Sequence, residues 1–264
     1  MALNDAQADK AAGIIHDAYL SGTPIEGLPD DCAPANAADA VKVQEALLSK
    51  FGKAAAGYKA GFTNPPALAK AGPDGPMSGV MFRDFSVPSG GSLKRADVWP
   101  GTLIEAEVAF RMGRPLPVRD ADYSQDEVLD AVASAIIAIE LAVPRFANPL
   151  GQPVPYLFAE NGAALGFVWG PDIPDWRERD LKALDIELSF DGKAVAQGLP
   201  LEARCDEAWA LTWTVNHFRA RGRAIEVGDF ITTGAAAAPT VLGNASHVSA
   251  RFDGIGDVSF TVED

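Results

Sequence analysis

From residue 101 onward the apolar residues of this chain recur mainly at every second position, and that period limits what the chain can fold into. Period two marks a β-strand, whose successive side chains point to opposite faces. Leu184 to Phe190 runs into Asp191-Gly192 and out through Lys193 to Gln197. That is a hairpin signal, because an Asp-Gly pair accepts the positive φ angles of a tight turn. His247 to Phe252, Asp253 to Gly256 and Val258 to Val262 predict a second hairpin. Between the two, Asp206 can cap a helix through Ala208, Trp209, Leu211, Trp213, Val215 and Phe218 that ends near Gly222.

The N-terminal part reads differently. Ile14, Ile15, Ala18 and Tyr19 recur at helical spacing until Gly22-Thr-Pro24 interrupts them. A second helix is predicted from an Asn36 N-cap through Val41, Leu47, Leu48 and Phe51, with Gly52 at the stop position. Residues 64–101 hold Pro65, Pro66, Gly72, Pro73, Gly75, Pro76 and Gly79, which suits long loops around short strands, and such segments are often functional. The outline is α+β: a helical N-terminus followed by a mostly antiparallel sheet core.

A net charge of −14 disfavours nucleic acid and anionic membrane as partners, since both reward basic patches. It does not disfavour an anionic substrate, because a bound cation can reverse the sign locally. Cys32 and Cys205 are the only cysteines, too few for a disulfide framework or a multi-cysteine metal site. The opening residues form no apolar signal core and no apolar run reaches membrane-spanning length, so the expectation is a cytoplasmic protein.

The most informative segment is Gly101-Thr-Leu-Ile-Glu-Ala-Glu-Val-Ala-Phe110. Alternation puts Ile104, Ala106, Val108 and Phe110 on a core face and Glu105 and Glu107 together on the other, roughly 7 Å apart at Cα. Taken alone, the pair is also what a half-exposed strand would carry. Glu140 changes the balance, because it stands inside Ala135-Ile-Ile-Ala-Ile-Glu-Leu-Ala-Val143, where a carboxylate is expected to be buried and to need a partner. If the three converge to about 5 Å, each pair repels by roughly 3 kcal/mol at an effective dielectric of 20. Protonation or a divalent cation must relieve that, and an all-oxygen set suits Mg²⁺ or Mn²⁺. Lys59, in Gly57-Tyr-Lys-Ala-Gly-Phe-Thr63, reads either as a snorkelling strand lysine or as a proton donor beside the cluster.

Gly-Tyr-Lys-Ala-Gly-Phe-Thr, Ile-Glu-Ala-Glu-Val-Ala-Phe, Ala-Ile-Glu-Leu and Gly-Asp-Phe-Ile-Thr-Thr-Gly occur in one order, with Asp39-Ala-Val-Lys-Val-Gln44 before them and Gly254-Ile-Gly256 after. In this the chain resembles the 2-hydroxypentadienoate (2-keto-4-pentenoate) hydratase and 4-oxalocrotonate decarboxylase group of the fumarylacetoacetate hydrolase superfamily, over nearly its whole length. The resemblance implies a mixed β-roll core with a helical N-terminal part: a helical segment with the lysine strand over residues 1–78, then a β-roll catalytic domain over 79–264. It implies that Glu105, Glu107 and Glu140 hold Mg²⁺ or Mn²⁺, that Lys59 and Asp84 act at the substrate, and that Asn161, Thr233 and Gly234 line its pocket. It also implies a homo-oligomer acting on a small 2-oxo or 2-hydroxydienoic acid. The activity implied is hydration of a 2-hydroxy-2,4-dienoate to a 4-hydroxy-2-oxo acid in aromatic catabolism. Decarboxylation of a 2-oxo-enedioate, or an inactive metal-binding partner subunit, stand as alternatives.

Where the resembled pattern has Asp-Asn followed closely by Ser, this chain has Glu160-Asn161-Gly-Ala-Ala, and Thr-Gly-Ser is Thr233-Gly234-Ala235. Complete phosphate-binding, dinucleotide-binding, nucleophile-elbow and zinc-protease motifs are absent. His16, His217 and His247 have no obvious partners in sequence and read as structural.

Overall fold

A computed structural model describes residues 2–264. Helices α1 (Asp5–Ser21) and α2 (Ala37–Phe51) form where helical spacing predicts them, each started by an asparagine side chain (Asn4, Asn36) that accepts a backbone N–H. Past them come β1 (Ala55–Gly61), the short α3 (Pro65–Ala71), β2 (Met77–Phe82), and the brief β3 (Val87–Pro88) and β4 (Gly91–Lys94). The long strands β5 (Leu103–Met112) and β6 (Val132–Ala142) flank α4 (Gln125–Ala131), and α5 (Val154–Ala159) leads into β7 (Ala164–Asp172). The predicted first hairpin is β8 (Ile186–Phe190) and β9 (Lys193–Gln197), with positive φ at both Asp191 and Gly192. Then follow α6 (Glu207–Ala220), capped by Asp206 as expected, β10 (Phe230–Thr232), β11 (Thr240–Val241), and the second hairpin, β12 (His247–Phe252) and β13 (Gly256–Glu263).

The main sheet runs β2-β1-β10-β5-β6-β7-β3, with β11 also on β5. It is mixed, because β1 pairs β10 and β3 pairs β7 in parallel while the other neighbours are antiparallel. A second sheet, β4-β13-β12-β8-β9, packs against its outer face. There Ile104, Val108, Phe110, Ile137 and Ile231 share one core with Phe218 of α6 and with Val248 and Phe260.

The main sheet curls until β2 approaches the start of β7. At Gly79 a Cβ would fall 2.3 Å from the Asn161 carbonyl oxygen and 2.8 Å from Ala164 Cβ, so only glycine allows the approach. Curling encloses the inner face as well, where Met81, Ala109, Ile136, Ala138, Ala164 and Phe167 form a smaller core. The face of β5 that carries the glutamates is therefore buried on both flanks instead of being the open side of a one-faced strand. Residue 78 lies inside β2, and β1 is an interior strand of the sheet, so the lysine strand is built into the roll. The helical layer has its own core of Ile15, Val43, Leu47, Phe146 and Phe158. Among the described residues no helix is long and apolar enough to cross a membrane.

Candidate active site and metal centre

Strand register explains why residues far apart in sequence meet. Lys59 lies opposite Thr232, Thr232 opposite Ala109, and Glu105 opposite Glu140. Directly opposed residues share a face, so Lys59, Thr232, Glu105, Glu107 and Glu140 all point into the roll. Oxygens of the three glutamates come within 4.8 Å of one another. Glu107 and Glu140 are fully buried and Glu105 is partly buried.

The surroundings hold each carboxylate in place without saturating it. Gly234 N–H donates to Glu107 Oε2 at 2.8 Å, and Thr232 Oγ1 donates to Glu140 Oε2 at 2.9 Å. Gly234 has φ +120°, and a Cβ there would sit 2.2 Å from Thr63 Oγ1, so this donor requires glycine. Lys59 Nζ lies 2.9 Å from Glu140 Oε1 as a buried ion pair, without the alignment of a hydrogen bond. Glu107 Oε1 has no hydrogen-bond donor among the described residues.

Burial, and then the negative charge of Glu140, pushes Glu105 up to about 7 and Glu107 well above the usual carboxylate range. Burial alone would lower Lys59, but Glu140 and Glu105 outweigh it and hold the ammonium charged. One lysine cannot neutralise three carboxylates. A buried, oxygen-only donor set with an orphaned oxygen fits a hard divalent cation such as Mg²⁺ or Mn²⁺.

Lys59 and Glu105 face a cavity of about 190 Å³ whose walls are otherwise largely apolar, including Phe62, Met77, Pro144 and Leu157. Gly234 lines it as expected. Three sequence-predicted positions do not. Asp84 sits on a turn after β2 with its side chain 59% exposed, paired with Lys53 at 2.8 Å and away from the cavity wall. Asn161 is buried, and its side chain is spent on Val80, accepting from its N–H at 2.8 Å and donating to its carbonyl at 2.9 Å. Thr233 gives its hydroxyl to the Val108 carbonyl and accepts Thr63 Oγ1 on its own carbonyl. Asn161 and Thr233 thus brace the backbone around the pocket; neither lines it.

Sequence reasoning missed Thr232 and Glu160. Glu160 follows the apolar run of α5 and is fully buried, which is the signal that singled out Glu140. The histidines lie outside the cavity wall. His217 stacks on Trp213, and burial pushes it down to about 3.

A curled mixed sheet with a helical N-terminal layer is a fold of the fumarylacetoacetate hydrolase type. Solved structures show the fold: 4-oxalocrotonate decarboxylase from Pseudomonas putida G7, complexed with magnesium and adipate, superposes with a TM-score of 0.82 at 24% identity over 99% of both chains. A fumarylacetoacetate hydrolase family protein from Yersinia pestis CO92 superposes at 0.52, with 18% identity over 78% of this chain and 92% of the other. No family model matches the sequence. Curated relatives narrow the group. A 4-oxalocrotonate decarboxylase from Pseudomonas sp. is 27% identical over 94% of both chains, and 2-keto-4-pentenoate hydratase 2 from Dechloromonas aromatica is 28% identical over 98% of both. Over nearly its whole length the chain is thus similar to both decarboxylases and hydratases, which are lyase-type enzymes.

Proposed function

We propose that this chain is a divalent-metal-dependent hydratase that adds water to a 2-hydroxy-2,4-dienoate and yields a 4-hydroxy-2-oxo acid. The observation that carries this reading is the acidic triad opening, through Glu105 and Lys59, onto a small cavity in which Lys59 is the only basic lining residue among the described residues. Such a pocket matches a substrate with one carboxylate and an apolar tail. Glu105, Glu107 and Glu140 would hold the cation, which when bound supplies Lewis-acid stabilisation to charge developing on the substrate's C2 oxygen. Gly234 N–H and Thr232 Oγ1 keep Glu107 and Glu140 aimed at that point. Lys59, held charged, stabilises negative charge beside the triad and delivers a proton to the substrate carbon chain. The apolar walls lower the local dielectric and so strengthen these contacts.

A second reading, decarboxylation of a 2-oxo-enedioate, is favoured by likeness to 4-oxalocrotonate decarboxylases over nearly the whole chain. Loss of dienoate ultraviolet absorbance on adding Mg²⁺, with a 4-hydroxy-2-oxo acid as product and no CO₂ from the enedioate, is expected. CO₂ release from the enedioate without dienoate loss would reassign the chain as a carboxy-lyase. Turnover of neither substrate by metal-loaded protein would leave a metal-binding partner subunit.

A further inference from the structure

Besides Lys59 and the triad's Glu105, one titratable side chain lines the cavity: Glu160. It stands at the end of α5 and opens the turn 160–163, which lies along the lysine stem, since a Cβ on Gly162 would come 3.0 Å from Lys59 Cε. Its two oxygens are unequally served. Oε2 accepts the Arg145 N–H at 2.6 Å, whereas Oε1 is buried with no hydrogen-bond donor. The Arg145 guanidinium is directed elsewhere, lying 4.5 Å from the Tyr19 ring centroid and 5.9 Å from that of Trp99. Its Nε and Nη1 are without hydrogen-bond partners among the described residues, so neither donates to Glu160 Oε1. A buried acceptor without a donor costs about 1–3 kcal/mol, so its retention at the cavity wall points to a ligand that supplies the missing proton.

Resting on the hydratase reading, we infer that Glu160 is the catalytic base that binds the added water through Oε1 and takes its proton. As the water oxygen bonds to C4 of the 2-oxo-3-enoate, the water O–H breaks and its proton passes to Glu160. The C3–C4 π pair moves toward the C2 oxygen, and C3 then takes a proton from Lys59. Glu160 afterwards returns its proton to the lysine, so the net change is one added water. Burial pushes Glu160 up to about 8, which makes its ionised form a stronger base than an exposed glutamate.

The test compares Mg²⁺-loaded wild type with Glu160→Gln, which is nearly isosteric, keeps an acceptor for the Arg145 N–H and cannot take a proton. Expected is a loss of hydration rate of about 100-fold or more, with Mg²⁺ affinity and dienol ketonisation (deuterium uptake from D₂O) within about threefold of wild type. Hydration by Glu160→Gln at the wild-type rate would overturn the assignment. If that variant does not fold, Glu160→Ala with added sodium formate decides. Recovery of hydration with formate supports a proton-accepting carboxylate, and none overturns it. A wild-type chain that hydrates no dienoate is a different failure, that of the hydratase reading itself, and is seen before any variant is assayed.

Discussion

Glu107 is the carboxylate least able to exist alone. It is fully buried, Gly234 N–H serves one oxygen, and the other has nothing. Glu107→Gln removes one negative charge while keeping the shape and an acceptor for Gly234. Without metal, the variant should be at least as stable as wild type, because the repulsion from Glu140 and Glu105 is gone. With metal it should be worse. Losing a supporting contact outside the ligand shell already costs 10–100-fold in affinity, so losing a ligand should weaken Mg²⁺ binding by about 100-fold or more. Calorimetric titration with Mg²⁺ and thermal melts with and without chelator read both halves. Wild-type Mg²⁺ affinity in Glu107→Gln would remove Glu107 from the ligand set.

At the scale of elements, the roll is closed by a side chain where a strand pair would otherwise do it. Asn161 has φ 67°, a conformation asparagine tolerates better than most residues. From there it mimics a strand partner for Val80 and also accepts from Gln44 Nε2. Asn161→Ala would leave the buried Val80 N–H and carbonyl without these partners, a loss of about 2–4 kcal/mol that urea unfolding should show as a lower midpoint at unchanged slope. An unchanged midpoint would mean that β2 is held to β7 by packing alone. The same residue marks where sequence reading stops. Helix caps at Asn36 and Asp206 and the Asp191-Gly192 turn are decided by residues within a few positions, so they were legible. The cluster was legible in part, because period two puts Glu105 and Glu107 on one face and an apolar run buries Glu140. Which strand lies beside which was not, since register such as Glu105 opposite Glu140 is set by the whole sheet. For the same reason nothing in the sequence signals that the Asn161 and Thr233 side chains bond to the backbone of Val80 and Val108. Asp84 sits on a short turn and pairs with Lys53, 31 positions away.

For the molecule as a whole, the buried triad links stability, pH and metal in one direction. Glu105 has a folded-state value of about 7 against an ordinary value of 4.5, and Glu107 is raised as well. A carboxyl raised by folding binds its proton more tightly in the native state, so the native state is favoured below the unfolded value. That advantage is lost as pH rises through the folded one. Metal-free protein should therefore lose stability as pH rises from about 4.5 toward 8. Mg²⁺ reverses the trend. It binds the deprotonated carboxylates, displaces their protons and takes over the neutralising role, so its stabilisation grows with pH in the window where the apo fold weakens. Melting temperatures measured with chelator and with excess Mg²⁺ should nearly coincide at pH 5 and diverge by several degrees at pH 8. In Glu105→Gln the divergence should shrink, because one proton-linked ligand is gone. A Mg²⁺ effect of equal size at both pH values would mean that the ion binds somewhere other than at these buried carboxylates.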